Sequence, residues 1–172
     1  PSDSTLVSAA KGLERGTLLR MSQVIGEELP EPSRSRVVVL AGPSLAAEVG
    51  DGVPTGVDAA CHDPELAKTV RAALSMRRFR FKIRRDMAGV EAGGTFKNLY
   101  AIGAGICDGL GLGHNTKAAL MTRALAEMVA MARVLGGKAS TVYGLSGLGD
   151  LIATSSSPKS RNRTLGEHLG RG

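Results

Sequence analysis

The chain has 172 residues, of which 42% are hydrophobic and 22% charged, which suits one or two globular units and excludes a charge-rich disordered segment. Its formal net charge of +6 favours a partner with negative charge, whether a nucleic acid, a nucleotide or a phosphorylated metabolite. No apolar run approaches the roughly 18 residues of a membrane span and no basic-then-apolar leader opens the chain, so we expect a cytoplasmic protein.

The cysteines and histidines predict neither a disulfide nor a metal site. Cys61 and Cys107 lie far apart without the spacing of metal ligands, which favours reduced thiols in the core. His62, His114 and His168 are equally scattered. We therefore expect no metal in this protein.

Two short apolar runs in the first part of the chain predict strands. Residues 5–9 form the first, and residues 37–41 form a β-branched run typical of a strand buried on both faces of a parallel sheet. The segment 18–29 between them predicts a helix, closed off by Pro30 and Pro32.

A second helix and a third strand follow. Asp63 before Pro64 predicts a helix N-terminus, with apolar residues then recurring at helical spacing. In residues 78–84 apolar and basic residues alternate, which predicts an edge strand with one cationic face. The alternation of strands and helices up to residue 85 predicts an α/β unit built on a parallel sheet.

From Asp86 onward the pattern predicts helices only. Apolar residues recur at helical rather than alternating spacing, and one stripe is expected to pack in the core: Met121, Leu125, Met128, Ala132 and Leu135. Gly136 and Gly137 would end that helix. The fold class predicted is α/β followed by all-α.

Four clusters of glycine with polar or charged residues are not explained by packing alone. They are residues 8–12 after the first strand, residues 42–48 after the second, residues 93–98 in the helical part, and residues 144–150 with 155–163. Together they suggest a phosphate-bearing ligand held between the α/β half and the helical half.

The first two clusters follow predicted strands. Lys11-Gly12 stands at the end of a strand, where open α/β sheets bind ligands; a solvated loop lysine is the alternative. Gly42 permits close approach of a ligand to the backbone, and the helix after Ser44 would present free amides to an anion. An ordinary turn explains this cluster equally well.

The last two clusters carry candidate chemistry. Gly93 and Gly94 each weaken a helix by about 1 kcal/mol relative to alanine, so the pair predicts that something approaches the backbone there. Desolvation of Lys97 would lower its pKa and suit it to general acid–base catalysis, unless it extends to solvent. Ser160 and Arg161 predict a phosphate cradle at a helix start, with a solvated basic turn as the alternative.

In this order the clusters resemble the NAD(P)-dependent glycerol-3-phosphate dehydrogenase family. The matching motifs are Lys11-Gly12, Gly42-Pro43-Ser44 with Ala46 and Glu48, Gly93-Gly94 with Lys97-Asn98, Gly105 with Asp108-Gly109, Gly147-Leu148-Gly149-Asp150, and Ser160-Arg161-Asn162-Arg163. The resemblance covers essentially the whole chain. It implies a partial Rossmann-like dinucleotide-binding domain at residues 1–85 and a partial all-helical substrate domain at residues 86–172.

The resemblance also implies an activity and a set of site residues. The family reduces dihydroxyacetone phosphate to glycerol 3-phosphate with NAD or NADP, for phospholipid synthesis, as a cytoplasmic and usually dimeric enzyme. Lys97 would be the proton acceptor for the C2 hydroxyl. The substrate would be lined by Lys11, Gly42, Ser44, Lys97, Asp150, Ser160, Arg161 and Asn162, and the dinucleotide contacted by Lys11, Ala46 and Arg161.

The chain departs from the family at its start. The family opens with a strand and a Gly-x-Gly-x-x-Gly turn that holds the pyrophosphate, and no such turn precedes Lys11. The final part of the helical domain is also missing. We therefore expect a fragment that is inactive by itself.

Two other functions are considered. A nucleic-acid-binding module could use the basic stripe at residues 77–85 to follow phosphates without reading sequence. The stripe explains none of the four clusters and lacks aromatic partners, so we expect no nucleic acid. A related dehydrogenase of another small hydroxy compound is the third possibility, and the cradle at Ser160 and Arg161 requires that such a substrate be phosphorylated.

Overall fold

The first half of the molecule is a four-stranded sheet. The computed structural model describes residues 4–172, and its strands lie in the order β1 (Leu6–Ser8), β2 (Val37–Ala41), β3 (Thr55–Ala60), β4 (Phe79–Arg84). β1 pairs with β2 and β3 with β4 in parallel, whereas β2 and β3 are antiparallel. The sheet is mixed, so the prediction of a wholly parallel sheet was wrong at this pair.

The reversal follows from the short link between β2 and β3. The only helix in that link, α3 (Ala46–Gly50), advances the chain by only about 7 Å. It cannot carry the chain back along β2, so the next strand runs in the opposite direction.

Strand β3 was missed in the sequence. Its residues include glycine, aspartate and two alanines, which are depleted in strands. It forms because it lies between β2 and β4, where residues 57–60 are buried. Pairing with two neighbours outweighs its weak local preference.

The other predictions for this half are largely confirmed. β4 lies at the edge of the sheet among the described strands, with Phe81 buried and Arg80 and Lys82 exposed. The Asp63 carboxylate accepts the amide of Glu65 at 2.9 Å and begins α4 (Pro64–Leu74).

The first helix is shorter than expected. α1 (Met21–Glu28) begins three residues later than the predicted segment, because Leu18 adopts a φ of +59° that a helix does not allow. A four-residue helix, α2 (Glu31–Arg34), follows it.

The second half is helical throughout the described residues. Its elements are α5 (Met87–Gly109), α6 (Gly113–Val134), α7 (Ala139–Val142), a π-helix (Leu145–Gly149), α8 (Asp150–Ser156) and α9 (Arg161–Arg171). The predicted stripe on α6 packs in the core with Met128 and Ala132 fully buried, and Gly136, with a φ of +82°, follows the end of that helix. The fold is therefore α/β followed by all-α, as predicted.

Helices α5 and α9 cross with their backbones in contact at four glycines, Gly105 and Gly109 on α5, and Gly166 and Gly170 on α9. A Cβ at Gly170 would lie 2.5 Å from the carbonyl oxygen of Ile106, and a Cβ at any of the other three would overlap the opposite backbone. Only glycine permits this approach. The crossing sets the start of α9 against the middle of α5.

Both cysteines are free and buried. Within residues 4–172, neither long helix nor any shorter one has the continuous apolar length that a bilayer crossing demands.

The glycine crossing generates a prediction about stability. Gly166→Ala should lower the free energy of unfolding by about 3 kcal/mol, because the methyl group has no space against the backbone of α5. Gly26→Ala is the matched control: this glycine also lies in a helix and a Cβ there meets nothing within 4 Å, so alanine should stabilise the chain by about 0.5–1 kcal/mol. Urea unfolding of the two variants measures both values, and equal effects would contradict the crossing.

Candidate active site

A buried polar network centred on Asp150 joins the two halves of the molecule. The Lys97 ammonium on α5 donates to Asp150 Oδ1 at 2.6 Å and to Thr154 Oγ1 at 2.5 Å. The Lys11 ammonium, from the loop after β1, donates to Asp150 Oδ2 at 2.8 Å. Asp150 and Lys97 are only 3% and 5% exposed. One carboxylate therefore serves as the counter-charge of two lysines.

The glycine pair at residues 93 and 94 allows this network to form. A Cβ at Gly93 would lie 2.5 Å from the carbonyl oxygen of Ser146, in the π-helix, whereas a Cβ at Gly94 would make ordinary contact with the Lys11 side chain at 3.7 Å. The prediction that something approaches the backbone here is confirmed at Gly93. What approaches is the protein itself: the π-helix that precedes Asp150, and Lys11.

Asp58 on β3 holds the π-helix against the sheet. Its fully buried carboxylate accepts the backbone amide of Ser146 at 3.0 Å and the Arg84 guanidinium at 3.0 Å. A buried carboxylate needs such partners. Sequence analysis missed Asp58 because it missed the strand that carries it.

Burial is the main influence on the pKa of Lys97. Desolvation lowers it below the usual 10.5, the negative charge of Asp150 opposes that effect, and the positive charge of Lys11 adds to it. The folded state thus binds fewer protons at Lys97 than the unfolded state between the lowered value and 10.5. Across that window the contribution of Lys97 to stability increases as the pH rises.

Most of the predicted site residues lie around one cleft of about 700 Å³. The predicted residues on its wall are Lys11, Ser44, Ala46, Lys97, Asp150, Ser160, Arg161 and Asn162. Gly42 is buried behind the wall, where its carbonyl oxygen accepts the Ser44 hydroxyl at 3.2 Å. The sequence thus located both sides of the cleft.

The start of α9 forms one end of the cleft. The Ser160 hydroxyl caps the helix by accepting the amide of Arg163 at 3.3 Å. The Asn162 side-chain amide donates to Asn98 Oδ1 on α5 at 2.8 Å. Arg161 and Lys159 are exposed on the cleft wall, and their side chains form no hydrogen bond or ion pair within residues 4–172.

Asp108 anchors α9 from below the cleft. It accepts the Arg163 guanidinium at 2.7 Å and the Lys117 ammonium at 2.8 Å. Burial raises the pKa of the Asp108 carboxyl, but the hydrogen bonds from Lys117 and Arg163 outweigh burial and hold that pKa below its usual value. The pairing leaves Arg161, two residues earlier, directed to the cleft wall.

The cleft carries an excess of positive charge. Its wall holds four cationic side chains, Lys11, Lys97, Lys159 and Arg161, and one carboxylate, Asp150. Arg161 and Lys159 have no counter-charge, and the uncapped amides of a helix start add to the positive potential. This arrangement suits a ligand with phosphate groups.

Three polar residues of the wall were not predicted as site residues: Asn98, Thr154 and Lys159. Thr154 lies four residues after Asp150, which places both on one helix face, so the spacing could have identified it. Asn98 was part of a recognised motif but had no assigned role. Nothing in the sequence distinguishes Lys159 from an ordinary surface lysine.

Comparison with known families divides the chain into two matches. Residues 1–67 match a family model described as the N-terminus of NAD-dependent glycerol-3-phosphate dehydrogenase. Residues 86–172 match the model for the C-terminus of the same family.

Curated relatives and solved structures agree with these matches. The chain is 51% identical over all 172 residues to a glycerol-3-phosphate dehydrogenase [NAD(P)+] of Corynebacterium glutamicum, of which it covers 52%. It is 50% identical over 99% of its length to that of Koribacter versatilis, covering 50% of that protein.

The solved structures include a glycerol-3-phosphate dehydrogenase from Coxiella burnetii, with a TM-score of 0.90 and 41% identity over 98% of this chain and 51% of that one. Another, from Dunaliella salina, has a TM-score of 0.90 and 27% identity over 99% of this chain and 32% of that one. The chain spans about half the length of the curated relatives it matches.

The network around Asp150 predicts opposite shifts for two variants. In Asp150→Asn the pKa of Lys97 should fall further, because the nearest negative charge is lost; in Lys11→Met it should rise, because a like charge is lost. The ¹³Cε chemical shift of Lys97, followed through a pH titration by NMR, measures both. Shifts of the same sign in the two variants would contradict the proposed balance of charges.

Proposed function

The chain belongs to the NAD-dependent glycerol-3-phosphate dehydrogenase family, and we propose that it supplies the substrate site of an NAD(P)-dependent enzyme that interconverts dihydroxyacetone phosphate and sn-glycerol 3-phosphate. One observation carries this proposal: a buried lysine ammonium, held by Asp150 and Thr154, borders a cleft whose far wall carries unpaired cations. A proton donor and an anion site therefore share one space.

Lys97 acts as the proton donor in ketone reduction. An ammonium has three N–H groups, and two of those of Lys97 are engaged by Asp150 and Thr154. The third is available to the substrate oxygen as negative charge develops on it. In the reverse direction the lysine, with its pKa lowered by burial, accepts the proton of the C2 hydroxyl.

The start of α9 binds the phosphate group. Arg161 offers a guanidinium that can hold two phosphate oxygens at once, and the helix amides and Asn162 offer further donors. The Lys11 ammonium donates one N–H to Asp150, which leaves two N–H groups for the substrate. Asp150, on the wall of the same cleft, fixes both lysines. Gly42 acts through Ser44, whose hydroxyl it orients.

The residues present also fit the phosphate-bearing part of a dinucleotide. Ala46 and Arg161 lie on the cleft wall with small or unpaired side chains, and Lys11 lies on the same wall. We propose that these three contact the cofactor, NAD or NADP. When bound, the nicotinamide supplies the hydride.

The wider setting follows from the family. We propose a cytoplasmic enzyme that forms a homodimer at full length and makes the glycerol backbone of phospholipids. We also propose the division into a Rossmann-like domain at residues 1–85 and a helical substrate domain at residues 86–172, which is supported by the start of the second family match at residue 86.

The function is tested in a chimera that carries this chain in place of the matching segment of the Corynebacterium glutamicum relative. The chimera should reduce dihydroxyacetone phosphate with NADH or NADPH, measured by absorbance at saturating substrate. Lys97→Ala should lower kcat by about 100- to 10,000-fold with a smaller change in KM, because proton donation strengthens in the transition state. Lys138→Ala, an exposed lysine outside the cleft, is the control. A folded but inactive chimera, or an unchanged kcat with a raised KM in Lys97→Ala, would contradict the proposal.

The phosphate-binding role of Arg161 makes a separate prediction in the same chimera. Arg161→Ala should raise KM for dihydroxyacetone phosphate, and Arg161→Lys should restore only part of the loss, because an ammonium cannot hold two oxygens in a fixed plane. Arg123→Lys, at an exposed arginine on α6, should change nothing. Steady-state kinetics of the three variants decide; equal constants for Arg161→Lys and the unmodified chimera would exclude bidentate binding.

A further inference from the structure

The positive charge of the chain is concentrated away from the cleft. Residues 66–85 contain eight lysines and arginines and no acidic residue, whereas the net charge of the whole chain is +6. These residues contribute a charge of +8, so the rest of the chain taken together carries a net charge of −2. The proposed dehydrogenase chemistry uses none of these residues.

Few of these cations have a partner. Lys68 pairs with Glu65, Arg84 with Asp58, and Arg78 donates to a backbone carbonyl. The side chains of the other five form no hydrogen bond or ion pair within residues 4–172: Arg71, Arg77, Arg80, Lys82 and Arg85. Four of the five lie on α4, on the turn or on β4 itself.

The outer edge of β4 also has unpaired backbone groups. The carbonyl oxygens of Arg78 and Arg84 accept the amides of Thr55, in β3, and Cys61, directly after it, and backbone groups of alternate residues point to opposite sides of a strand. The groups of Phe79, Phe81 and Ile83 therefore point outward. Those of Phe79 bond to Met76, but those of Phe81 and Ile83 have no partner in the described chain.

A cavity of about 340 Å³ lies beside this edge. Its wall consists of Arg71, Ala72, Ser75, Met76, Arg80 and Phe81, which belong to α4, the following turn and β4. It is therefore placed to receive alternate side chains of a strand added next to β4. Met76, whose side chain is 64% exposed, offers apolar surface at its rim.

From these features we propose that the outer edge of β4 binds an extended segment of another protein, in which acidic residues alternate with apolar ones. The backbone of the segment pairs with Phe81 and Ile83, its apolar side chains enter the cavity, and its carboxylates face Lys82 and Arg80, the second of which also borders the cavity. Strand addition combines backbone affinity with pockets for alternate side chains.

The charges select against other occupants. A second copy of β4 would set arginine and lysine against arginine and lysine, and like charges directly opposite destabilise a strand pair. Single-stranded nucleic acid stacks on exposed aromatic rings, but Phe79 and Phe81 pack edge to face against each other and Phe81 is buried. A strand in which acidic and apolar residues alternate can pair with the backbone edge, fill the cavity and neutralise the cations.

The test uses the 172-residue chain and a fluorescent probe peptide in which glutamate and valine alternate. Fluorescence anisotropy should show binding that weakens with salt, and a peptide with lysine in place of glutamate should not bind. Replacing both Arg80 and Lys82 by glutamine should weaken binding about tenfold. Arg123→Gln and Arg133→Gln together, at two exposed arginines on α6, are the matched control and should have no effect.

Backbone pairing is tested by methylating the peptide amides. In a strand added next to β4, either the glutamates or the valines of the peptide point their N–H groups toward β4, and residues of the other type point theirs away. Methylating all amides of one type should abolish binding, and methylating those of the other type should not. By NMR, the amide protons of Phe81 and Ile83 should gain protection from exchange, while those of Arg80 and Lys82, already paired with β3, should not change.

Several results would overturn the proposal: no binding of the peptide, equal effects of the two methylation patterns, or no new protection at Phe81 and Ile83. Displacement of the peptide by duplex RNA or by vesicles of phosphatidylserine at lower concentration would assign the surface to a polyanion instead. None of these outcomes depends on the activity of the cleft.

Discussion

The Asp150 carboxylate is the interaction on which the arrangement of the whole molecule depends. It is 3% exposed and holds Lys97 from the helical half and Lys11 from the α/β half. Removal of one member of such a buried pair leaves an uncompensated charge, which is far more costly than the pair is favourable. The two halves therefore pack in the one position that brings both lysines to Asp150, and the cleft forms where they meet.

Helix α5 makes this position possible because its glycines allow close contact at both ends. Gly93 and Gly94 admit the π-helix and Lys11 near the beginning, and Gly105 and Gly109 admit α9 near the end. Glycines cost helix stability, yet a Cβ at Gly93, Gly105 or Gly109 would overlap the backbone of a neighbour, whereas a Cβ at Gly94 would make only ordinary contacts. The glycines lower the intrinsic helix stability of α5, but they allow the packing that places Lys97 and the start of α9 on the same cleft.

Positive charge serves two different surfaces. In the cleft, cations surround one buried carboxylate, and the unpaired ones, Lys159 and Arg161, lie where a phosphate would bind. Along β4 the cations are exposed beside an open sheet edge, where repulsion discourages pairing with another copy of the chain. In the cleft, burial is the main cause that lowers the pKa of Lys97, and the positive charge of Lys11 adds to it. Along β4, the exposed cations leave the sheet open to a partner of opposite charge.

The sequence alone determined the fold class, the start of α4, the core stripe of α6 and most residues of the cleft wall. Apolar periodicity, caps and glycine–lysine motifs depend on residues that are close in the sequence, so they predict the same features in the folded chain. It failed at β3, at the direction of the β2–β3 pair and at Asp58, because a strand of glycine, aspartate and alanine exists only through its neighbours. The spacing places Thr154 beside Asp150 on one helix face, but only the packing of α5 against α8 brings Lys97 to both. Lys159 has no distinguishing local signal, and only the packing that forms the cleft places it on the wall.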